Sequence, residues 1–250
     1  MTPLVLLHGF LGCASDWDSV RADLDPHFDC VPLDLPGHGA DPLDVEATNF
    51  EEGVDQVRRL IEGLGIQRCQ LIGYSMGGRI AMGLLCRAPS LVSSVIAVGA
   101  SAGISDPADR ARRWEDDQAL ADELEQGDLG SFIDRWYQQE LFGPLRRNSA
   151  YPAVRARRLR ASPSGLAASL RAFGVGSQPS LEDQLSRSTA RILLLAGALD
   201  AKYVSLNGRL SARCPSIQNR AVPGCGHSPH LEAPRELARI VFDSIAQHQE

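Results

Sequence analysis

The chain has 250 residues, enough for one well-cored domain or a domain with an insertion, and too few for two ordinary independent folds. Its 44% hydrophobic and 22% charged residues exclude a disordered or fibrous chain, and a net charge of −6 gives no general affinity for nucleic acid. No apolar run reaches the length of a membrane span, and the first, "PLVLLHGF", starts at Pro3 without a basic leader or cleavage site, so a cytoplasmic protein with no membrane partner is expected.

In chain order, short apolar runs bounded by Gly and Pro predict strands over 3–8, 28–34, 69–74, 92–99 and 191–197, with a weaker sixth over 217–222. Helical patterns fall between them at about 14–25, 49–64 with Asn49 as cap, 76–88, 203–213 and 232–247. Strand alternating with helix predicts an α/β fold, a mostly parallel sheet with helices on both faces. The alternation stops over 101–185, where only helical, Arg-rich segments occur. The expected organisation is a core of 1–100 and 186–250 with a helical cap, 101–185, inserted in it.

The cap is split in charge. Residues 101–140 carry 4 Arg and 11 acids, whereas 141–180 carry 7 Arg and no acid. The basic half suits an anionic ligand or pairing with the acidic half. Nucleic acid fits it least, because the basic run is short and the chain acidic. The six cysteines are scattered without a C-x-x-C, which reads as reduced thiols rather than a disulfide framework or zinc site.

"LIGYSMGGRI" contains G-x-S-x-G directly after a predicted strand and at the start of a predicted helix, the setting in which that motif bends into a nucleophile elbow around Ser75. Glycine is needed at 73 and 77 because strand and helix backbones nearly touch there. A serine hydroxyl needs a base, and the base an orienting acid. Asp200 ends a strand in "LLLAGALD" and His227 sits in the loop "GCGHSPH", giving the order Ser75, Asp200, His227 along the carboxyl edge of the sheet. Helix capping by Asp200 and a plain surface role for His227 are the structural alternatives. The N–H groups of Met76, after the serine, and Phe10, in "HGFLG", are the expected oxyanion donors. His230 and Glu232 match no metal-ligand spacing, so no metal is expected. His8 and His38, beside tight glycine turns, are expected to be structural.

"LLHGFLG", "DLPGHG", "GYSMGGR", "WYQQELF", "GVGSQPSL", "GALDAKY" and "GCGHSPHLEAP" resemble, along nearly the whole chain, the 2-succinyl-6-hydroxy-2,4-cyclohexadiene-1-carboxylate synthases of menaquinone and phylloquinone biosynthesis. These are α/β-hydrolase-fold enzymes. The resemblance implies a lyase that eliminates pyruvate from a cyclohexene tricarboxylate without metal, cofactor or water as reactant, with Ser75, activated by His227, as the base. It also implies substrate-binding roles for Tyr74, Arg79, Arg113, Trp136, Arg158 and Lys202. Arg79 lies one helical turn past Ser75, and helical side chains lean back toward the N-terminus, which aims its guanidinium at the site. Arg110, Arg112, Arg157 and Arg160 lie in the same runs as Arg113 and Arg158 and compete for their places. The predicted first strand begins at once where relatives carry a further leading stretch, so leading edge strands are expected to be absent. An esterase or carbon–carbon hydrolase using Ser75 as nucleophile, and a noncatalytic receptor for a small ligand, are the competing readings.

Overall fold

The computed structural model describes residues 2–39, 42–214 and 216–246. Six strands, β1 (Leu4–Leu7), β2 (Cys30–Leu33), β3 (Cys69–Tyr74), β4 (Val92–Val98), β5 (Arg191–Gly197) and β6 (Ile217–Val222), form one sheet in the order β2-β1-β3-β4-β5-β6. All five pairings are parallel. Each predicted strand, including the weak one over 217–222, corresponds to one of these.

Side chains alternate across a strand, and the apolar runs accordingly serve two cores. Val5, Leu7, Leu71, Val95, Ala97 and Leu194 face one layer, which holds α2 (Phe50–Gly63) and α3 (Met76–Arg87). Leu4, Leu6, Ile72, Ile96, Val98 and Leu195 face the other, with Trp17, α1 (Asp18–Leu24) and α12 (Pro234–Ala246). Asn49 caps α2 through Glu52 N–H at 3.0 Å, as its sequence position predicts.

Between β4 and β5 run α4 (Pro107–Gln126), α5 (Leu129–Gln138), α6 (Gly143–Arg146), α7 (Tyr151–Arg158), α8 (Pro163–Phe173) and α9 (Glu182–Ser186), followed after β5 by α10 (Ala201–Arg213) and α11 (Pro229–Glu232). A third apolar cluster, with Phe132, Tyr137, Phe142, Leu166 and Leu170, holds most of the helices between β4 and β5 together and includes Leu11 from the loop after β1. The charge asymmetry of this segment is spent in part internally and in part on Asp16, which pairs with Arg157 and Arg158. Arg171 pairs with Asp122 and Glu125, each at 2.6 Å, Arg155 takes Asp134 bidentately, and Arg135 pairs with Glu123.

The predicted helix over 232–247 is two helices, broken at Ala233 before Pro234. The proline disfavours a helical residue before it, and residue 247 lies outside the described residues.

Candidate active site

Ser75 joins β3 to α3 at φ 50° and ψ −108°, a conformation that costs an L-residue on the order of 1–3 kcal/mol. The surroundings hold it there. Ser75 N–H donates to Val98 O at 2.8 Å, Ser75 O accepts from Arg79 N–H at 3.0 Å, and a Cβ at Gly77 would collide with the carbonyls of Leu7 and His8. Among the described residues only one other non-glycine, Leu11, has positive φ, at 64°. It lies in the turn closed by Gly12 N–H on Gly9 O at 2.9 Å, which leaves Phe10 N–H outside the turn's own bond. Met76, first in its helix, likewise has an N–H with no intrahelical acceptor. Both strained residues therefore adjoin the two candidate oxyanion donors.

Asp200, three residues past β5, does two jobs. Its Oδ1 accepts from Tyr203 N–H at 3.3 Å and caps α10, while Oδ2 takes the His227 ring at 2.7 Å through Nδ1. A proton shared there leaves Nε2 as the basic nitrogen. His227 is buried among the rings of Tyr203, Tyr74 and Phe142 at 4.7, 5.4 and 5.7 Å. Gly99, at φ 58°, makes room for it: a Cβ there would stand 3.0 Å from His227 Cε1.

Glu232 and His230, which the sequence suggested only as poor metal ligands, have other roles. The Glu232 carboxylate accepts from Gly226 N–H at 2.6 Å and from Ser228 N–H at 2.9 Å. Ser228 Oγ in turn meets the Tyr74 hydroxyl at 2.8 Å. His230 is fully buried against Tyr74, with ring centroids 4.1 Å apart, and burial pushes its pKa down to about 3, so it is neutral.

The cationic residues divide by environment. Arg79 is buried on α3, and its guanidinium donates to Phe173 O at 2.6 Å, Gln178 Oε1 at 3.1 Å and Gly174 O at 3.4 Å. No carboxylate pairs with it among the described residues, and burial lowers its pKa to about 10. "GVGSQPSL" thus acts as the acceptor loop for Arg79, with Gln178 fully buried in it, a role for which that segment gives no local signal. Asp117 holds the same loop from α4, accepting from Gly176 N–H at 2.9 Å and Arg113 Nε at 2.8 Å. Arg158 is buried in a bidentate pair with Asp16, at 2.6 and 3.0 Å, and donates through Nε to the Tyr137 hydroxyl at 3.1 Å. Burial works against its charge, but Tyr137 and Asp16 more than restore it. Lys202 is exposed at the start of α10, 5.7 Å from the Tyr203 ring centre.

A cavity of about 20 Å³ lies at Ser75, walled by Phe10, Tyr74, Trp136, Phe142, Arg158 and Ser228 among others. The structure thus brings Ser75, Phe10, Tyr74, Trp136 and Arg158 to one cavity. Arg79, Arg113 and Lys202 are not among the described residues that line it. Arg113 instead lines a neighbouring cavity of about 360 Å³ that shares Trp136 as a wall.

Residues 4–240 match the model of the alpha/beta hydrolase family. The 2-succinyl-6-hydroxy-2,4-cyclohexadiene-1-carboxylate synthase of Serratia proteamaculans is 35% identical over 236 residues, 94% of this chain and 89% of that one. The Citrobacter koseri enzyme of the same name is 33% identical over 98% of this chain and 92% of its own. The solved structure of MenH from S. aureus superposes with a TM-score of 0.93 at 27% identity, covering 100% of this chain and 95% of that one. With sheet, serine turn and histidine loop all inside the matched region, the chain belongs to the alpha/beta hydrolase family and, within it, to the 2-succinyl-6-hydroxy-2,4-cyclohexadiene-1-carboxylate synthases.

Proposed function

We propose that the protein is the lyase of menaquinone biosynthesis that eliminates pyruvate from 2-succinyl-5-enolpyruvyl-6-hydroxy-3-cyclohexene-1-carboxylate, and that Ser75, Asp200 and His227 carry the reaction. The activity rests on membership of the synthase family along nearly the whole chain. The observations that carry the mechanism are the 2.7 Å contact of His227 with Asp200 and a serine held at φ 50° in the turn from β3 to α3.

His227 Nε2 takes the Ser75 proton, and the alkoxide removes the proton next to the succinyl ketone. Negative charge moves to the ketone oxygen, where the N–H groups of Phe10 and Met76 stabilise it. Collapse of that enolate forms the new ring double bond and expels the enolpyruvyl oxygen with its electron pair; protonation of the released enolate gives pyruvate. No water is consumed. The bulky rings of Trp136 and Phe142 suit the ring of the substrate, and the guanidiniums of Arg79, Arg113 and Arg158 together with Lys202 suit its three carboxylates. The helices over 101–185 act as a cap on this site. A cavity of about 20 Å³ holds little more than one water, so the cap must open, or Trp136 turn, for the tricarboxylate to enter.

The test is to supply the enzymatically generated tricarboxylate in ¹⁸O-labelled water. Stoichiometric pyruvate with diene absorbance and no label in the ring product is the expected result. Hydrolysis of neutral esters without any elimination would return the protein to a carboxylesterase reading.

A further inference from the structure

The Ser75 cavity has two kinds of wall. Toward the cavity shared through Trp136 the boundary is aromatic, with Phe10 and Phe142 at 5.1 and 6.3 Å from the Trp136 ring. Elsewhere the boundary is Gly12 and the Asp16–Arg158 pair, and Gly12 and Arg158 also line an outer cleft of about 290 Å³ between the 11–15 turn and the end of α7. A small carboxylate formed at Ser75 meets an aromatic wall at Trp136 and, at Gly12, a polar wall made of the Asp16–Arg158 ion pair. Crossing apolar surface strips an ion of its hydration without replacing it, so the polar side is the favourable way out.

That cleft carries more positive charge than its own acids use. Arg157, Arg158 and Arg160 all line it. Asp16 serves both Arg158 and Arg157, the latter at 3.1 and 3.2 Å through the same Oδ1. Asp34, on the facing wall, is engaged by Ala14 N–H at 2.6 Å. Arg160 is exposed and pairs with no acid among the described residues, although seven other arginines in the helices between β4 and β5, Arg112, Arg113, Arg135, Arg155, Arg157, Arg158 and Arg171, do.

We propose that this outer cleft is a second binding site, for a small carboxylate, and that the pyruvate eliminated at Ser75 is its occupant, reaching it past the Asp16–Arg158 pair. The proposal rests on the elimination reading for its occupant, whereas the anion site itself stands on the cleft. Pyruvate there is held by Arg160 and the free edge of Arg157. Arg158 stays with Asp16 as the partition, so the product carboxylate leaves without exchanging through the aromatic side.

The experiment is calorimetric titration of the full-length protein with sodium pyruvate, in parallel with inorganic phosphate, alone and with the Ser75 cavity saturated by the cyclohexadiene product. The expected result is one equivalent of pyruvate bound in both cases. Arg160→Gln should weaken it about tenfold, the loss of one charged hydrogen-bonded contact, and Arg160→Glu should weaken it further. Because Arg160 is exposed and has no acid partner among the described residues, both variants should melt with the wild type, and added salt should weaken binding in the open cleft. Pyruvate affinity unchanged in Arg160→Gln, or pyruvate displaced by the ring product, would overturn the site. Phosphate binding that depends on Arg160 while pyruvate does not bind would overturn the occupant. Absence of elimination activity with Arg160-dependent pyruvate binding would instead remove the reaction and leave the site.

Discussion

Glu232 holds His227 from both sides: its two carboxylate oxygens accept the backbone N–H groups of Gly226 and Ser228, the residues that flank the histidine. Asp200 fixes the rotation of the ring, and Glu232 fixes the loop that carries it. In the mechanism proposed above, a misplacement of this imidazole by an ångström is enough to cost a large factor in rate.

Glu232→Gln keeps size and shape but turns one acceptor into a donor facing an N–H. We expect kcat to fall by about tenfold to a hundredfold with KM little changed, and a modest loss of stability of about 1–3 kcal/mol. Steady-state kinetics with a parallel thermal melt checks this. A KM effect at constant kcat would assign Glu232 to substrate binding instead.

Ser75→Ala and His227→Ala should each remove most turnover, and the double variant should be little worse than either, because base and activator act as one unit. Multiplicative losses in the double variant would contradict the relay. Asp200→Asn keeps an oxygen to cap α10 but sets an NH2 donor against His227 Nδ1, so activity should fall much more than the melting temperature.

Arg79 separates binding of carboxylate from scaffolding. If its guanidinium meets a substrate carboxylate, Arg79→Ala should cost about 2–5 kcal/mol in kcat/KM for the tricarboxylate and far less for a neutral ester. The same change leaves Phe173 O and Gln178 Oε1 without a donor, so the protein should also melt lower. Arg79→Lys should recover part of both effects, lacking the planar fork. Equal losses on charged and neutral substrates would make Arg79 structural.

Three buried histidines set the acid side of stability. Burial lowers the pKa of His8, His38 and His230, the last to about 3, below the unfolded value of about 6.5. Between those values the unfolded chain binds the extra proton, so the contribution of each is present above about pH 6.5 and is lost as the pH falls toward its folded pKa. Denaturant unfolding at pH 8, 6 and 5 should show stability falling on the acid side, by up to about 1.4 kcal/mol per pH unit for each histidine. His230→Phe should reduce that slope. An unchanged slope would mean that His230 titrates alike in both states.

The sequence by itself determined the parallel sheet and the elements of the serine site. Short continuous apolar runs bounded by Gly and Pro mark strands buried on both faces, and G-x-S-x-G between strand and helix marks a turn that glycines at 73 and 77 permit. These are local consequences of backbone sterics and spacing, and each strand lies within its apolar run. Asp200 and His227 were legible for a similar reason, since each follows a strand's carboxyl end. What only the tertiary structure decided is which groups meet across long separations. Asp16 takes Arg158 at 142 positions' distance, Gln178 takes Arg79 at 99, and neither pair shares a local pattern. Glu232 lies near His227 in the chain, yet its role required knowing that the loop folds its amides back onto α11. The same holds for the arginines between β4 and β5: a run such as "RARRLR" announces charge, but which guanidiniums are spent on Asp16 and Asp134, and which has no acid partner among the described residues, is set by how α7 packs against α5 and the 14–17 segment. Pairing energies fall off within a few ångströms, so they follow proximity in space, which the linear order of residues does not contain.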